Sequence, residues 1–186
     1  MGIPTLIKTL TASGSASLDF VDGTSDVTLD STYDEYMFVF TDINAATDQA
    51  NFTFQVNATD DAGGGYDTSV ITSTYFRSMH AEADDEAEVS YWTGGDLAQS
   101  SSFQILSYYT GNAADESSAG ILHLFSPAST TYVKHFYARV ISNRADEMGY
   151  EQYVAGYIND TTAIDEIQFK MSSGNFDGVI QLYGIA

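Results

Sequence analysis

The sequence predicts an all-β fold, an antiparallel β-sandwich of the jelly-roll kind with about ten strands and its C-terminal strand buried inside a sheet. Three observations predict it. Apolar and polar residues alternate with period two along most of the 186 residues, as half-buried strands require. The chain carries 13 Tyr and 11 Phe alongside plentiful Val, Ile and Thr, a palette suited to pleated surfaces. Gly, Asp and Asn punctuate the runs, and no stretch holds apolar residues at i, i+3, i+4 and i+7 long enough for a long helix.

In chain order, "GIPTLIKTL" (2–10) comes first. It is the least acidic stretch and carries Lys8, so residues 1–10 read either as a first strand or as a docking arm, with Ile3, Leu6, Ile7 and Lys8 as contact candidates. "SASLDF" places Ala16, Leu18 and Phe20 opposite Ser15, Ser17 and Asp19. "NFTFQVN" places Phe52, Phe54 and Val56 opposite Thr53 and Gln55. Runs apolar on both faces are "YMFVF" (36–40), "GILHLF" (120–125), "YVKHFYARVI" (132–141) and "VIQLYGI" (179–185). "VITSTYFRSM" (70–79), "EQYVAGYI" (151–158) and "DEIQFKM" (165–171) complete the strand set. Turns are expected at Asp22-Gly23, Gly63-Gly64-Gly65, Gly94-Gly95, Ser173-Gly174-Asn175 and Asp177-Gly178, with a helical turn near 84–90 or 113–119. No composition break divides the chain, so 1–186 reads as one domain.

Charge narrows the function classes. Twenty-six acids against six bases give a formal net charge of −20, which repels nucleic-acid backbones and anionic membrane surfaces. A coat this acidic suits salty water, where screening acts over roughly 10 Å at 0.1 M. Cysteine is absent, so disulfides and thiolate chemistry are ruled out. "MGIPTLIKTL" lacks a basic segment leading into an apolar core, so no secretory signal is expected. No apolar run reaches the roughly 20 residues of a bilayer span.

Catalytic motifs are missing: no G-x-S-x-G, H-E-x-x-H, P-loop or dinucleotide fingerprint occurs. His80, His123 and His135 read as structural. Asp34-Glu35 and Asp165-Glu166 precede strands, where acids sit as solvated turn residues, so no glycosidase pair is assigned and the chain is not expected to be an enzyme. No catalytic, cofactor or metal residue is assigned. "ATDDAGGGYD" (Asp60, Asp61, Asp67) and "HAEADDEAE" (Glu82, Asp84, Asp85, Glu86, Glu88) are the loops acidic enough for calcium, although neither has an EF-hand register. Tyr91, Trp92, Tyr108 and Tyr109 are the aromatics expected in loops, where they would stack on sugar or anchor an interface.

The ending "SSGNFDGVIQLYGIA", with Gly174, Asn175, Phe176, Gly178, Leu182, Tyr183, Gly184 and Ile185, resembles the closing segment of small virion structural proteins of tailed bacteriophages, marine ones especially. "YDEYMFVFTDI" (33–43) and "STTYVKHFYARV" (129–140) resemble their early aromatic strand and middle strand. The resemblance implies a part made in the host cytoplasm and located in the virion. Its expected role is a capsid decoration protein that binds the major capsid protein or other virion proteins as a homo-oligomer, a trimer by preference. The alternative is a tail fibre or receptor-binding module contacting host surface glycan. The absence of a coiled-coil stalk favours the compact decoration role.

Overall fold

The computed structural model describes residues 2–59, 66 and 69–186. The glycine turn 63–65 and the calcium candidates Asp60, Asp61 and Asp67 lie outside the described residues. Among the described residues twelve strands form: β1 (Thr5–Ser15), β2 (Leu18–Val21), β3 (Glu35–Ala45), β4 (Ala50–Ala58), β5 (Ile71–Ala81), β6 (Ala87–Tyr91), β7 (Gln104–Thr110), β8 (Ser118–Phe125), β9 (Lys134–Asn143), β10 (Met148–Ile158), β11 (Ile164–Met171) and β12 (Phe176–Ile185). Eight make one sheet in the order β1-β12-β3-β8-β9-β10-β5-β6, and four make a second, β2-β11-β4-β7. Every strand pairing is antiparallel. The expected all-β sandwich is what the chain forms. Its sheets are unequal, eight strands against four, and jelly-roll connectivity does not follow from that order.

Alternation builds the core. Tyr36, Phe38 and Phe40 of β3 point inward from the large sheet, and Phe52 and Phe54 of β4 point inward from the small one, all buried. Phe169 of β11 sits at the centre, its ring centroid within 6.4 Å of those of Phe20, Phe38, Phe40, Phe52 and Phe54. Each such side chain contributes roughly 1.5–3 kcal/mol by leaving water, and the edge-to-face contacts add to that.

Toward β7 the space between the sheets is polar. Gln152 on β10 is fully buried. Its Oε1 accepts from Tyr75 Oη at 2.6 Å and from the Tyr108 N–H at 2.5 Å. Its Nε2 donates to Ser142 Oγ at 3.1 Å and Ser107 Oγ at 3.4 Å. Ser107 continues to Ser118 at 2.9 Å. Each of these five side chains and the Tyr108 N–H has a partner, which is the condition for such a network to hold rather than weaken a core. Burial pushes the Tyr75 phenol pKa far above its ordinary value.

Several expectations are corrected. Residues 84–90 hold a tight turn and then β6, and 113–119 a turn and then the start of β8, not helical turns. Tyr108 and Tyr109, expected in a loop, lie on β7. "SASLDF" is not one run: β1 ends at Ser15, the chain bends at Ala16, and β2 begins at Leu18. "NFTFQVN" is buried on both faces, because the 101–102 backbone crosses Gln55, whose Nε2 donates to Ser101 O at 3.0 Å. Asp177-Gly178 is no turn but a bulge within β12 opposite β3, with Gly178 at a φ of 138° against the Asp42 carbonyl.

The final strand lies inside the large sheet, between β1 and β3. Phe176, Ile180 and Leu182 face the core, whereas Val179, Gln181, Tyr183 and Ile185 are only half-buried. It is therefore interior to the sheet yet has one buried face, not two, because among the described residues nothing covers the sheet's far side.

Candidate functional site

That far side is the most distinctive surface of the molecule. Strand register defines its rows, since residues directly opposed across antiparallel strands share a face. One row runs Thr9, Gln181, Val39, Ile121, Arg139, Tyr153, Phe76, Tyr91 across all eight strands. The next runs Leu6, Tyr183, Met37, His123, Tyr137, Ala155, Thr74. A solvated antiparallel face is normally polar. Here Phe76, Tyr91, Tyr137, Ile141 and Val89 are exposed and apolar or aromatic.

The rows are ordered by stacking. Phe76 and Tyr153 lie face to face, centroids 4.6 Å apart and planes 6° apart. Arg139 covers the other side of Tyr153 at 5.5 Å and pairs with Glu151. The Tyr153 hydroxyl, and after it the Arg139 guanidinium, hold the Glu151 carboxyl below its usual pKa. His123 stacks on Tyr137, centroids 4.5 Å apart, and its Nδ1 meets Glu35. His123 Nε2 is buried and makes no hydrogen bond. Small residues leave hollows between the rings. Ala155 sits beneath a depression of 240 Å³ edged by Phe76, Tyr137, Arg139 and Tyr153. Gly149 lines another, of 410 Å³, beside His80, Ile141 and Glu151.

Charge sets this face apart from the rest of the molecule. No acid occurs between Glu116 and Asp146, the stretch that supplies β8 and β9 at the middle of the sheet. The neighbouring acids on the face, Glu35 and Glu151, are paired with His123 and Arg139. In a chain of net charge −20, the centre of this surface is close to neutral. The acid-free run was the signal available in the sequence; a mean charge conceals it.

The loop aromatics are placed differently from one another. Tyr91 ends β6 on the uncovered face, 54% exposed, its hydroxyl donating to Asp96 at 2.5 Å. Trp92, Tyr108 and Tyr109 are half-buried members of a ladder between the sheets. Arg144 lies 4.5 Å from the Tyr109 ring and 4.3 Å from Tyr150, and Arg77 lies 5.2 Å from both Tyr150 and Trp92. Trp92 meets Tyr108 at 4.2 Å. Cation–π contacts of this kind contribute up to about 2 kcal/mol when desolvated. They also occupy ring faces that a sugar would stack on. So Tyr91 is not part of one platform with the other three.

Ile3 and Leu6 are exposed, and Ile7 and Lys8 half-buried, at the free edge of β1. From Thr5 onward the N-terminal stretch is a strand. Glu82, Asp84, Asp85, Glu86 and Glu88 are all exposed in and beside the β5–β6 turn, with His80 3.3 Å from Asp84. Among the described residues no three acidic or imidazole groups converge as metal ligands would. On the small sheet's outer face the Tyr66 hydroxyl lies 2.5 Å from Asp19 Oδ1 and 2.6 Å from Glu166 Oε1. Burial and those two carboxylates push its pKa well up. Asp165 is met by Asn57 Nδ2 at 3.3 Å.

No family model matches the chain, and no curated protein matches it either.

Proposed function

We propose that the chain is a structural protein of a phage virion, a capsid decoration protein that lays the uncovered face of its large sheet on capsid protein. The observation that carries this reading is the near-neutral aromatic face on a strongly acidic body. Such a face loses little on desolvation, while the acids elsewhere stay in water and keep particles apart. From β3 to β5 it spans five strands of about seven residues, roughly 24 by 23 Å or about 550 Å². Two such surfaces in contact bury about 1,100 Å², the lower end of stable interfaces. The likeness of "SSGNFDGVIQLYGIA" to virion proteins supports the same reading.

A receptor-binding role toward host glycan is the second reading, favoured by the 240 Å³ depression beside Phe76 and Tyr137. Quantitative mass spectrometry of purified particles separates the two. Hundreds of copies per particle, lost on Ile141→Asp, support decoration. A few to a few tens of copies, with binding on a glycan array, support the receptor module, and none at all removes both.

A further inference from the structure

The two edges of the large sheet are protected very unequally. The β6 edge is five residues long, and its hairpin carries Glu82, Asp84, Asp85, Glu86 and Glu88. Charge and shortness are the usual devices that stop an edge from pairing with another chain. The β1 edge is longer and carries a single charge. It runs eleven residues, and residues 1–18 contain no acid and one base, Lys8. β12 satisfies one side of β1; among the described residues no strand pairs with the other. Beside it Ile3 is 88% and Leu6 50% exposed. Bulges occur at Leu6/Lys8 and Ala12/Ser15, which leaves Lys8–Ala12 as an uninterrupted stretch of ladder.

We infer that β1 pairs with β1 of a second copy, antiparallel about a two-fold axis, joining the two large sheets edge to edge. A second copy is the occupant that the sequence and length of the edge select. Two bodies of net charge −20 repel wherever their acids meet, and the β1 edge lets backbones approach with none between them. The strand is self-complementary, Thr and Leu against Thr and Leu, as an isologous contact demands. Pairing β1 with β6 of another copy would set eleven residues against five and leave over half the ladder unmade. The edge thus gives a pair in place of the trimer expected from the sequence. The join also sets both uncovered faces side by side as one surface.

The test uses the purified full chain, independently of any particle, so its failure leaves the virion reading standing. Sedimentation velocity is run at low and at about 0.5 M salt, where screening shortens to a few ångströms. The expected result is a dimer that tightens with salt, a Kd raised at least tenfold in Thr9→Lys/Thr11→Lys, and an unchanged dimer in Val89→Lys. Hydrogen exchange across Lys8–Ala12 should slow as concentration rises, which reads the pairing without any substitution. A monomer up to about 100 µM at high salt, a trimer or open series of oligomers, or a dimer sensitive to Val89→Lys and not to the β1 variant overturns the inference.

Discussion

Lys134 Nζ donates to the backbone carbonyl of Thr162 at 2.6 Å, from a side chain with no exposed surface. The carbonyls of Tyr132 and Asp160, each 3.1 Å away, complete a cage. The ammonium ties the start of β9, where Lys134 is paired with Ile158 of β10, to the loop that follows between β10 and β11. Burial lowers its pKa, and Asp160 opposes that. Lys134→Met keeps the packed stem but removes the ammonium that donates to three carbonyls, so it should cost about 2–4 kcal/mol in urea unfolding. A loss below about 0.5 kcal/mol would show that water replaces the ammonium.

Asp160 supplies the pH-dependent part of the same junction. Burial raises its pKa, but Ser69 Oγ, the Thr162 N–H and hydroxyl, and the charge of Lys134 together outweigh that and hold it below the ordinary carboxylate value. A carboxylate held low stabilises the fold above the unfolded pKa of about 4 and loses that contribution as pH falls through the folded value. The stability gap between wild type and Asp160→Asn should therefore be open near neutral pH and close on acidification. A gap unchanged down to about pH 3 would contradict the assignment.

Gln152→Leu isolates the polar seam between the sheets. Leucine fills similar space but leaves the Tyr75 hydroxyl and the Tyr108 N–H buried without an acceptor. The expected cost is about 2–4 kcal/mol, with near-UV circular dichroism altered around Tyr75 and Trp92, which are in edge contact at 5.1 Å. Wild-type stability in this variant would mean the seam is hydrated.

Removing residues 179–186 should abolish cooperative unfolding. The segment pairs with both β1 and β3 and places Ile180 and Leu182 in the core, so its loss strips two ladders and detaches β1. A truncated chain that still melts cooperatively would show that β3 can serve as a stable edge.

Much of the fold was legible because period-two patterning reports which side of a strand meets the core. Phe52 and Phe54 alternate visibly with Thr53 and Gln55 and are buried, and Phe38, Phe40, Ile180 and Leu182, in runs apolar on both faces, are the buried side of theirs. Patterning failed where another segment arrives from far along the chain. Thr53 and Gln55 read as solvent-facing, yet both are buried: the 101–102 backbone crosses Gln55, and the Thr53 hydroxyl donates to the Lys170 carbonyl. Tyr108 and Tyr109 read as loop aromatics, yet β7 carries them to Arg144, beyond 30 residues along the chain. Nothing local marks such meetings.

By itself, then, the sequence determined an all-β antiparallel architecture, an interior place for the last strand and a strongly acidic surface. These follow from residue-by-residue alternation, propensity and summed charge. The tertiary structure decided that the sheets are eight and four strands, that Trp92, Tyr108 and Tyr109 spend their ring faces on arginines, and that an aromatic face stays bare. Those outcomes depend on strand order and register, which are set by contacts between residues distant in sequence. Alternation gives each strand two faces; only packing chooses which one is covered.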